Sequence, residues 1–414
     1  MWIGRRVIAY LGREISGIRD NGTRGLQILA KDLVIKALLL IPLLIVRAMR
    51  PLVLVRFKRL PTSRIGPMAS SPEVFLCELE AGYHNSKAID IYFPDTRIAN
   101  QQLMVMWGRS IRIYGWARHI SRLNRWLPGW KNHEIPWRHM SERDVLGLLS
   151  ETKPHISFTV EEEAMGLSEL RKIGISDDAP IVCFHARDPS YIQEHLPNSS
   201  LQLVGYKDSN IANYMPAAEK LAENGYYVLR MGAVVAQPLE TGNDRIIDYA
   251  NVARSDFMDI YLSAKCHFFI CSSSGLDRVP MIFRRPSLYV NYLMLELLPT
   301  WGPKDLCIPK RIWSKSEGRY LRFKEILDSG IGRWEHKELF DNADLIPEEN
   351  TPDEILAAVK EMTERLDGTW EDTDEDELLQ RNFWSLFRQN DVNGVFLSRV
   401  GAEFLRQNQK LLEV

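Results

Sequence analysis

Cysteine is scarce and unpaired in this chain. Its five cysteines (Cys77, Cys183, Cys266, Cys271, Cys307) are odd in number, widely spaced and never form a Cys-x-x-Cys pair. That is the usage of a reduced compartment, and it predicts neither a disulfide framework nor a zinc site. GxxxxGKS or GxxxxGKT, HExxH and GxSxG are all missing, so NTPase, zincin and esterase chemistry lack support. The absence of GxGxxG argues against a dinucleotide oxidoreductase. No internal repeat recurs at solenoid spacing. A long hydrophobic run is lacking too. The most apolar segment, Leu33–Val46 (LVIKALLLIPLLIV), is broken by Lys36 and Pro42 and flanked by Arg47 and Arg50. A spanning helix needs about 18 or more apolar residues, and no small-residue cleavage site marks a secretory signal.

What is present is a globular composition. The 414 residues are 45% hydrophobic and 26% charged, which suggests two domains, not a disordered chain. A formal net charge of −2 conceals an asymmetry: residues 1–60 carry twelve Lys/Arg and three Asp/Glu, a balance of +9, and the remainder carries −11. A basic, apolar end on an acidic body points to an anionic surface as its partner, most plausibly a membrane. No nucleic acid is expected, because the basic residues alternate with Leu, Ile and Val, not with Ser, Gly and aromatics. For Leu33–Val46 three arrangements stay open: an in-plane anchor, a buried first helix, or a single span.

The pattern along the chain predicts an α/β protein. Residues 1–50 read as a basic, apolar helical segment. Residues 51–176 alternate strand and helix: strands at Leu52–Phe57, Ala88–Phe93 and Ser110–Tyr114, helices at Ser71–Leu79 and Ile98–Trp107, and a Trp-rich, weakly periodic stretch over 115–140. A linker at Gly174–Pro180 precedes a second alternation over 177–350, and residues 351–414 read as helices returning toward the first domain. The expectation is two Rossmann-like domains facing a cleft.

Chemistry gathers in two strand-to-loop segments of the second domain, Ala179–Asp188 (APIVCFHARD) and His267–Pro286 (HFFICSSSGLDRVPMIFRRP). Each ends an apolar strand in groups that can hold a phosphate. His185 and Arg187 share one face of a strand end, and Arg187 can offer two N–H groups to an anion. Asp188 could orient Arg187 or simply close the loop as its ion pair. Ser272, Ser273, Ser274 and Gly275 precede a helix, with Arg278 one turn inside; such a loop caps a helix or binds phosphate. The two segments read as halves of one site for the diphosphate of an activated sugar. Asn210 and Asn213, Arg230 and Gly232, and Asp248 follow other strands of this domain and are candidates for the same cleft. Asp95, after the second strand, is the candidate base, and equally a helix cap. Arg64 and Gly66 follow the first strand, with His133 and Glu134 in the Trp-rich stretch as further acceptor-side candidates. Trp107, Trp116, Trp126, Trp130 and Trp137 could stack on sugars or pack.

The series HARD, SNIANY, GYYVLRMG, RSDFMDIYLSAKCHFFICSSSGLDRVPMIFRRP and LIPEENTPDEILAAVKEM resembles a bacterial family of GT-B glycosyltransferases of surface-polysaccharide pathways, over roughly residues 50–365. His185-x-Arg187 is similar to the His-x-Arg element of GDP-fucose-dependent fucosyltransferases, where the Arg holds the donor diphosphate; that role is carried to Arg187 alone. Leu52–Gly66 is similar to the first strand and acceptor loop of GT-B heptosyltransferases. The resemblance implies a GT-B-like fold and transfer from a nucleotide sugar to a saccharide or lipid-linked acceptor, without cofactor or metal; the basic, apolar N-terminal segment puts that activity at the inner face of the cytoplasmic membrane. An Asp-x-Asp for Mg²⁺ or Mn²⁺ would be needed by a GT-A enzyme; Asp372-Thr373-Asp374, in an acidic stretch, reads as a solvated linker. A non-catalytic sugar-nucleotide or glycan-binding component, or an interaction scaffold, are the alternatives.

Overall fold

The computed structural model describes residues 37–137, 141–195, 205–390 and 392–413, together with residues 27 and 30. Most of the expected basic, apolar helical segment over 1–50 falls outside them.

The first unit opens with helix α1 (37–48). It continues through β1 (Val55–Leu60), α2 (Ile65–Glu80), β2 (Ile89–Pro94), α3 (Gln101–Ser110), β3 (Arg112–Ile113) and α4 (Ala117–Asn124). The three strands form a parallel sheet in the order β1-β2-β3. Crossover helices between parallel strands place every strand's C-terminal end on one edge.

The second unit runs through α5 (Val160–Lys172), β4 (Ile181–His185), α6 (Ser190–His195), α7 (Met215–Glu223), β5 (Tyr227–Arg230) and β6 (Ile246–Ile247). Next come α8 (Tyr249–Val252), α9 (Asp256–Lys265), β7 (Phe268–Cys271), α10 (Arg278–Ile282), β8 (Ser287–Tyr292) and β9 (Leu306–Pro309). A small antiparallel sheet of β10 (Arg311–Ser314), β11 (Arg319–Tyr320) and β12 (Leu345–Glu348) is interleaved with α11 (Phe323–Asp328) and α12 (Lys337–Asn342). The chain ends with α13 (Pro352–Asp367), α14 (Asp374–Ser385), β13 (Arg399–Val400) and α15 (Ala402–Gln407).

The seven-stranded parallel sheet has the order β13-β9-β8-β7-β4-β5-β6. Strand order reverses between β4 and β7, and in such sheets the crevice at the C-terminal ends of the two strands where order reverses is where ligands bind. β4 and β7 are buried on both faces, as central parallel strands must be. Their apolar runs (IVCFH, FFIC) are therefore continuous, not alternating.

The molecule is α/β with two Rossmann-like units facing a cleft. Several boundaries differ from the sequence reading. The first strand starts at Val55, not Leu52, and α2 starts at Ile65, six residues before the expected Ser71. Pro72 lies inside α2, although a proline is most at home in a helix's first turn. α5 packs against α9, so it joins the second unit. While the stretch between α14 and β13 reaches back, with Val395 against the core that holds Met68, Leu103 and Trp107, the helices after residue 351 pack on the second sheet. Leu379, Phe383, Phe404 and Leu405 share its core, and β13 extends the sheet beside β9. Asp372 is no solvated linker residue: it pairs with Arg365 and Arg399, and Thr373 caps α14.

Candidate active site

One cavity of about 290 Å³ opens where the two units meet. Its walls come from the β4 end (His185, Arg187, Asp188), the β7 loop (Ser273, Ser274, Gly275, Asp277, Arg278), the β5 end (Gly232) and the first unit (Arg64, Gly66). The β4 and β7 ends are tied together directly. The Arg187 N–H donates to Ser272 Oγ at 2.9 Å, and the Ser272 N–H donates to the His185 carbonyl at 3.2 Å. Ser272 thereby holds the two anion-facing loops in register, its hydroxyl oxygen accepting that bond.

Several polar atoms on these walls are buried without a hydrogen-bond partner: His185 Nδ1, Ser274 Oγ, Arg278 Nη1 and Asp277 Oδ1. Buried polar groups are nearly always satisfied, and each orphan costs about 1–3 kcal/mol. Three such groups that can donate, on one cavity, describe a receptacle for an anion. Arg278 stacks over Trp301 with its guanidinium carbon 5.3 Å from the ring centre and lies 3.6 Å from Asp277. Burial works against its charge, but Asp277 outweighs burial and keeps the guanidinium ionised. Burial pushes the Asp277 carboxyl up to about 6 despite Arg278. Burial pushes the His185 imidazole down to about 4, with Asp188 opposing and Arg230 and Arg187 reinforcing, so it is neutral at pH 7.

Three further cations on the cavity, Arg187, Lys207 and Arg254, are held by carboxylates. Arg187 pairs with Asp208, not with Asp188. Lys207 reaches Glu335 at 2.7 Å, and burial lowers its pKa. Asp188 accepts from the Ser190 and Ala236 amides at 2.8 and 3.1 Å and so shapes the loop. Gly232 has φ of +153°, and a Cβ there would sit 2.7 Å from Val235 Cγ1, so glycine is required for both conformation and space.

The first unit contributes the N-terminus of α2, whose first turn carries no acidic residue. Its positive dipole end is therefore uncompensated. Arg64 stands exposed at the cap position, and Gly66 packs on Gly275: a Cβ at Gly66 would lie 2.9 Å from Gly275 Cα. Backbone meets backbone here, and the units close on one another through two glycines.

Other residues expected at the site lie elsewhere. Asn210 caps the turn at Ile211–Tyr214, and its N–H and the Asn213 amide both donate to Glu349. Arg230 is buried, donating to the Gln237 carbonyl at 2.6 Å and lying 3.4 Å from Asp248. Asp248 accepts from the Leu239 amide and Asn251. These residues do not line the cavity; they brace the loops behind it.

On the acceptor side the expected base is corrected. Asp95 does not line the cavity, is clamped by Arg59, and accepts from the Ser63 amide at 3.2 Å. Burial works to raise its pKa, but Arg59 and Ser63 outweigh it and hold the carboxylate low, where it is a weak base. His133 is buried with Nδ1 2.7 Å from the Val55 carbonyl, and Glu134 pairs with Arg125; both are structural and off the cavity. Trp107 is core, whereas Trp116 is half exposed and stacks on Tyr114.

Sequence reading missed Glu142, Lys207 and Asp259 on the cavity wall. No strand end announces them. A signal was nonetheless present at Glu142-Arg143-Asp144, a charged triplet directly after the Trp-rich stretch.

Outside the cavity, Glu73, Cys77 and His155 converge with their ligand atoms within 4.8 Å of one another. The Arg284 guanidinium already sits 2.7 Å from Glu73 Oε1 and 3.6 Å from Cys77 Sγ, so a cation fills this place. The cluster clamps α2 to the end of α10.

No family model and no curated protein matches the chain. Among solved structures it is similar to E. coli ADP-heptose LPS heptosyltransferase II, at 14% identity and TM-score 0.40, over 76% of this chain and 100% of that one. A glycosyl transferase family 9 protein from Veillonella parvula is similar at 10% identity and TM-score 0.44, over 74% of this chain and 97% of that one. An iron-containing dodecameric glycosyltransferase of enterotoxigenic E. coli is similar at 12% identity and TM-score 0.41, over 77% and 78%. These likenesses are loose in overall shape, and none of them bears on the site.

Proposed function

We propose that this chain is a glycosyltransferase of the GT-B type, taking a nucleotide sugar in the cleft and passing its glycosyl unit to a saccharide or lipid-linked acceptor in cell-envelope glycan synthesis. The observation that carries this reading is the set of unpartnered buried groups, Arg278 Nη1, Ser274 Oγ and His185 Nδ1, on one cavity at the point where strand order reverses. A diphosphate would satisfy all three, and Arg187, Lys207 and Arg64 stand on the same walls. The leaving diphosphate would then be stabilised by fixed cations and hydroxyls, so the reading calls for no metal and no further cofactor. A thermal-shift screen against ADP, GDP, UDP and CDP tests it. At least one should raise the melting temperature, and release of that nucleoside diphosphate from its hexose conjugate should accompany it. Binding without release would leave a sugar-nucleotide-binding module; no shift with any of the four would remove the reading.

The same reading places the first unit against the cytoplasmic face of the membrane. Support comes from α1. Leu43 is fully buried against Phe57, Phe93, Ala117 and Ile120, whereas Leu38, Ile41, Leu44 and Ile45 are 49–69% exposed. Among the described residues no helix is long and apolar enough to cross a membrane. An exposed apolar face beside Arg47 and Arg50, in a segment of +9 charge, suits the interface of an anionic bilayer. Each such side chain contributes about 1.5–3 kcal/mol when fully buried. The protein should float with vesicles containing anionic phospholipid, and Ile41→Glu with Leu44→Glu should leave it in solution; a wild type that does not float would remove the membrane from the account, and equal flotation of both would remove α1 as its anchor.

A further inference from the structure

We infer that Glu142 is the general base that accepts the proton of the acceptor hydroxyl. This rests on the transferase reading above. Four carboxylates line the cavity: Glu142, Asp188, Asp259 and Asp277. Two of them are committed and a third is sealed. Asp188 spends both oxygens on backbone amides. Asp259 accepts from Arg254 at 2.9 Å and from the Tyr249 hydroxyl at 3.0 Å. Asp277 has one oxygen without a partner, but it is 2% exposed, sealed from an incoming acceptor.

Glu142 differs on each count. It is half-buried and forms no hydrogen bond or ion pair with any described residue. Its neighbours, by contrast, are pinned on both sides of the cleft. Ser141 donates to Ser71 of α2 in the first unit at 3.1 Å. Arg143 is buried in the second unit and donates to the carbonyls of Leu297, Leu298 and Val392 and to Asn393 Oδ1, at 2.6–2.8 Å. Asp144 accepts from the Leu148 and Leu149 amides at 3.0 and 2.7 Å. A free carboxylate on a segment this firmly held is preorganised, which is what proton transfer in a transition state requires. It acts electrostatically on both Asp277 and Arg278, so it stands near the leaving group without pairing to it.

The step balances. The acceptor oxygen forms a bond to the anomeric carbon as the bond from that carbon to the diphosphate oxygen breaks. The electron pair leaves with the nucleoside diphosphate, beside Arg278 and Arg187. The hydroxyl proton passes to the Glu142 carboxylate and then to water.

The test uses the full chain with ADP-, GDP-, UDP- and CDP-hexoses and a lipid-linked oligosaccharide extract as acceptor, counting nucleoside diphosphate released. Glu142→Gln should lower kcat by about 10²–10⁴-fold, the usual contribution of a positioned base. It should also abolish the acidic limb of the kcat–pH profile and change the nucleoside diphosphate Kd by less than about threefold. Glu142→Asp should recover part of the rate, and it is the variant to read if the first fails to fold. A wild-type kcat and unchanged pH profile in Glu142→Gln would overturn the assignment. So would a loss of Kd equal to the loss of kcat/KM, which would make Glu142 a binding residue. A wild type that binds nucleotide and never turns over would instead sink the transferase reading itself.

Discussion

Asp95 and Glu142 show what decides a residue's role. Both are acidic and both belong to the acceptor side of the chain, but one carboxylate is held by Arg59 and the Ser63 amide while the other has no partner among the described residues. Sequence shows the acid and its place after a strand; it does not show who already holds it. We expect Asp95→Asn to keep kcat within about threefold, because the group is off the cavity, and to lower the melting temperature slightly through the lost Arg59 contact. His185 and Arg187 were legible because a strand end is a local pattern. Asp208 as the partner of Arg187 was not, since the two lie twenty-one positions apart in sequence. Arg187→Ala should weaken nucleoside diphosphate binding by about 10–150-fold, the worth of one to two charge-assisted hydrogen bonds. An unchanged Kd would remove Arg187 from the site.

Elements were legible where burial on both faces enforces a continuous apolar run. β4 (Ile181–His185) and β7 (Phe268–Cys271) are the apolar runs that open the two segments singled out in the sequence, Ala179–Asp188 and His267–Pro286. β10, β11 and β12 were missed: they are short, partly exposed and rich in Arg, Ser and Pro, so neither run nor alternation marks them. α2 is longer than expected because its first residues pack on the second unit through Gly66 and Gly275, a contact that lies 209 residues apart in sequence and leaves no local trace. Gly66→Ala should force the two backbones apart, lowering both the melting temperature and donor affinity; retention of both would show that the seam yields. The α2 clamp has a pH signature. Burial works against the charge of His155, but Cys77 and Glu73 outweigh it and raise its pKa from 6.5 to about 10. Because the folded value is the higher one, the stabilisation is complete below about 6.5 and is lost as pH rises through about 10. Thermal melts should therefore show wild type losing stability between pH 7 and pH 10 more steeply than His155→Gln, and parallel curves would contradict this.

At the scale of the molecule, two sheets with their C-terminal edges turned toward each other create a crevice that neither unit makes alone. A core shared by α2 and α3 of the first unit and α9 and α10 of the second holds them in that attitude: Met68, Leu103 and Trp107 pack with Ile260, Val279 and Ile282. The alternation of strand and helix predicted both units. Their shared core was hidden, because the residues that build it look like ordinary helix faces until the partner is present. The central claim is that this crevice holds a diphosphate. Isothermal titration of ADP, GDP, UDP and CDP against the full chain and against Arg278→Met tests it most directly. One nucleotide should bind the wild type, more weakly as salt rises, and bind the variant at least tenfold less tightly. Equal affinity in both proteins, or no heat with any of the four, would contradict it.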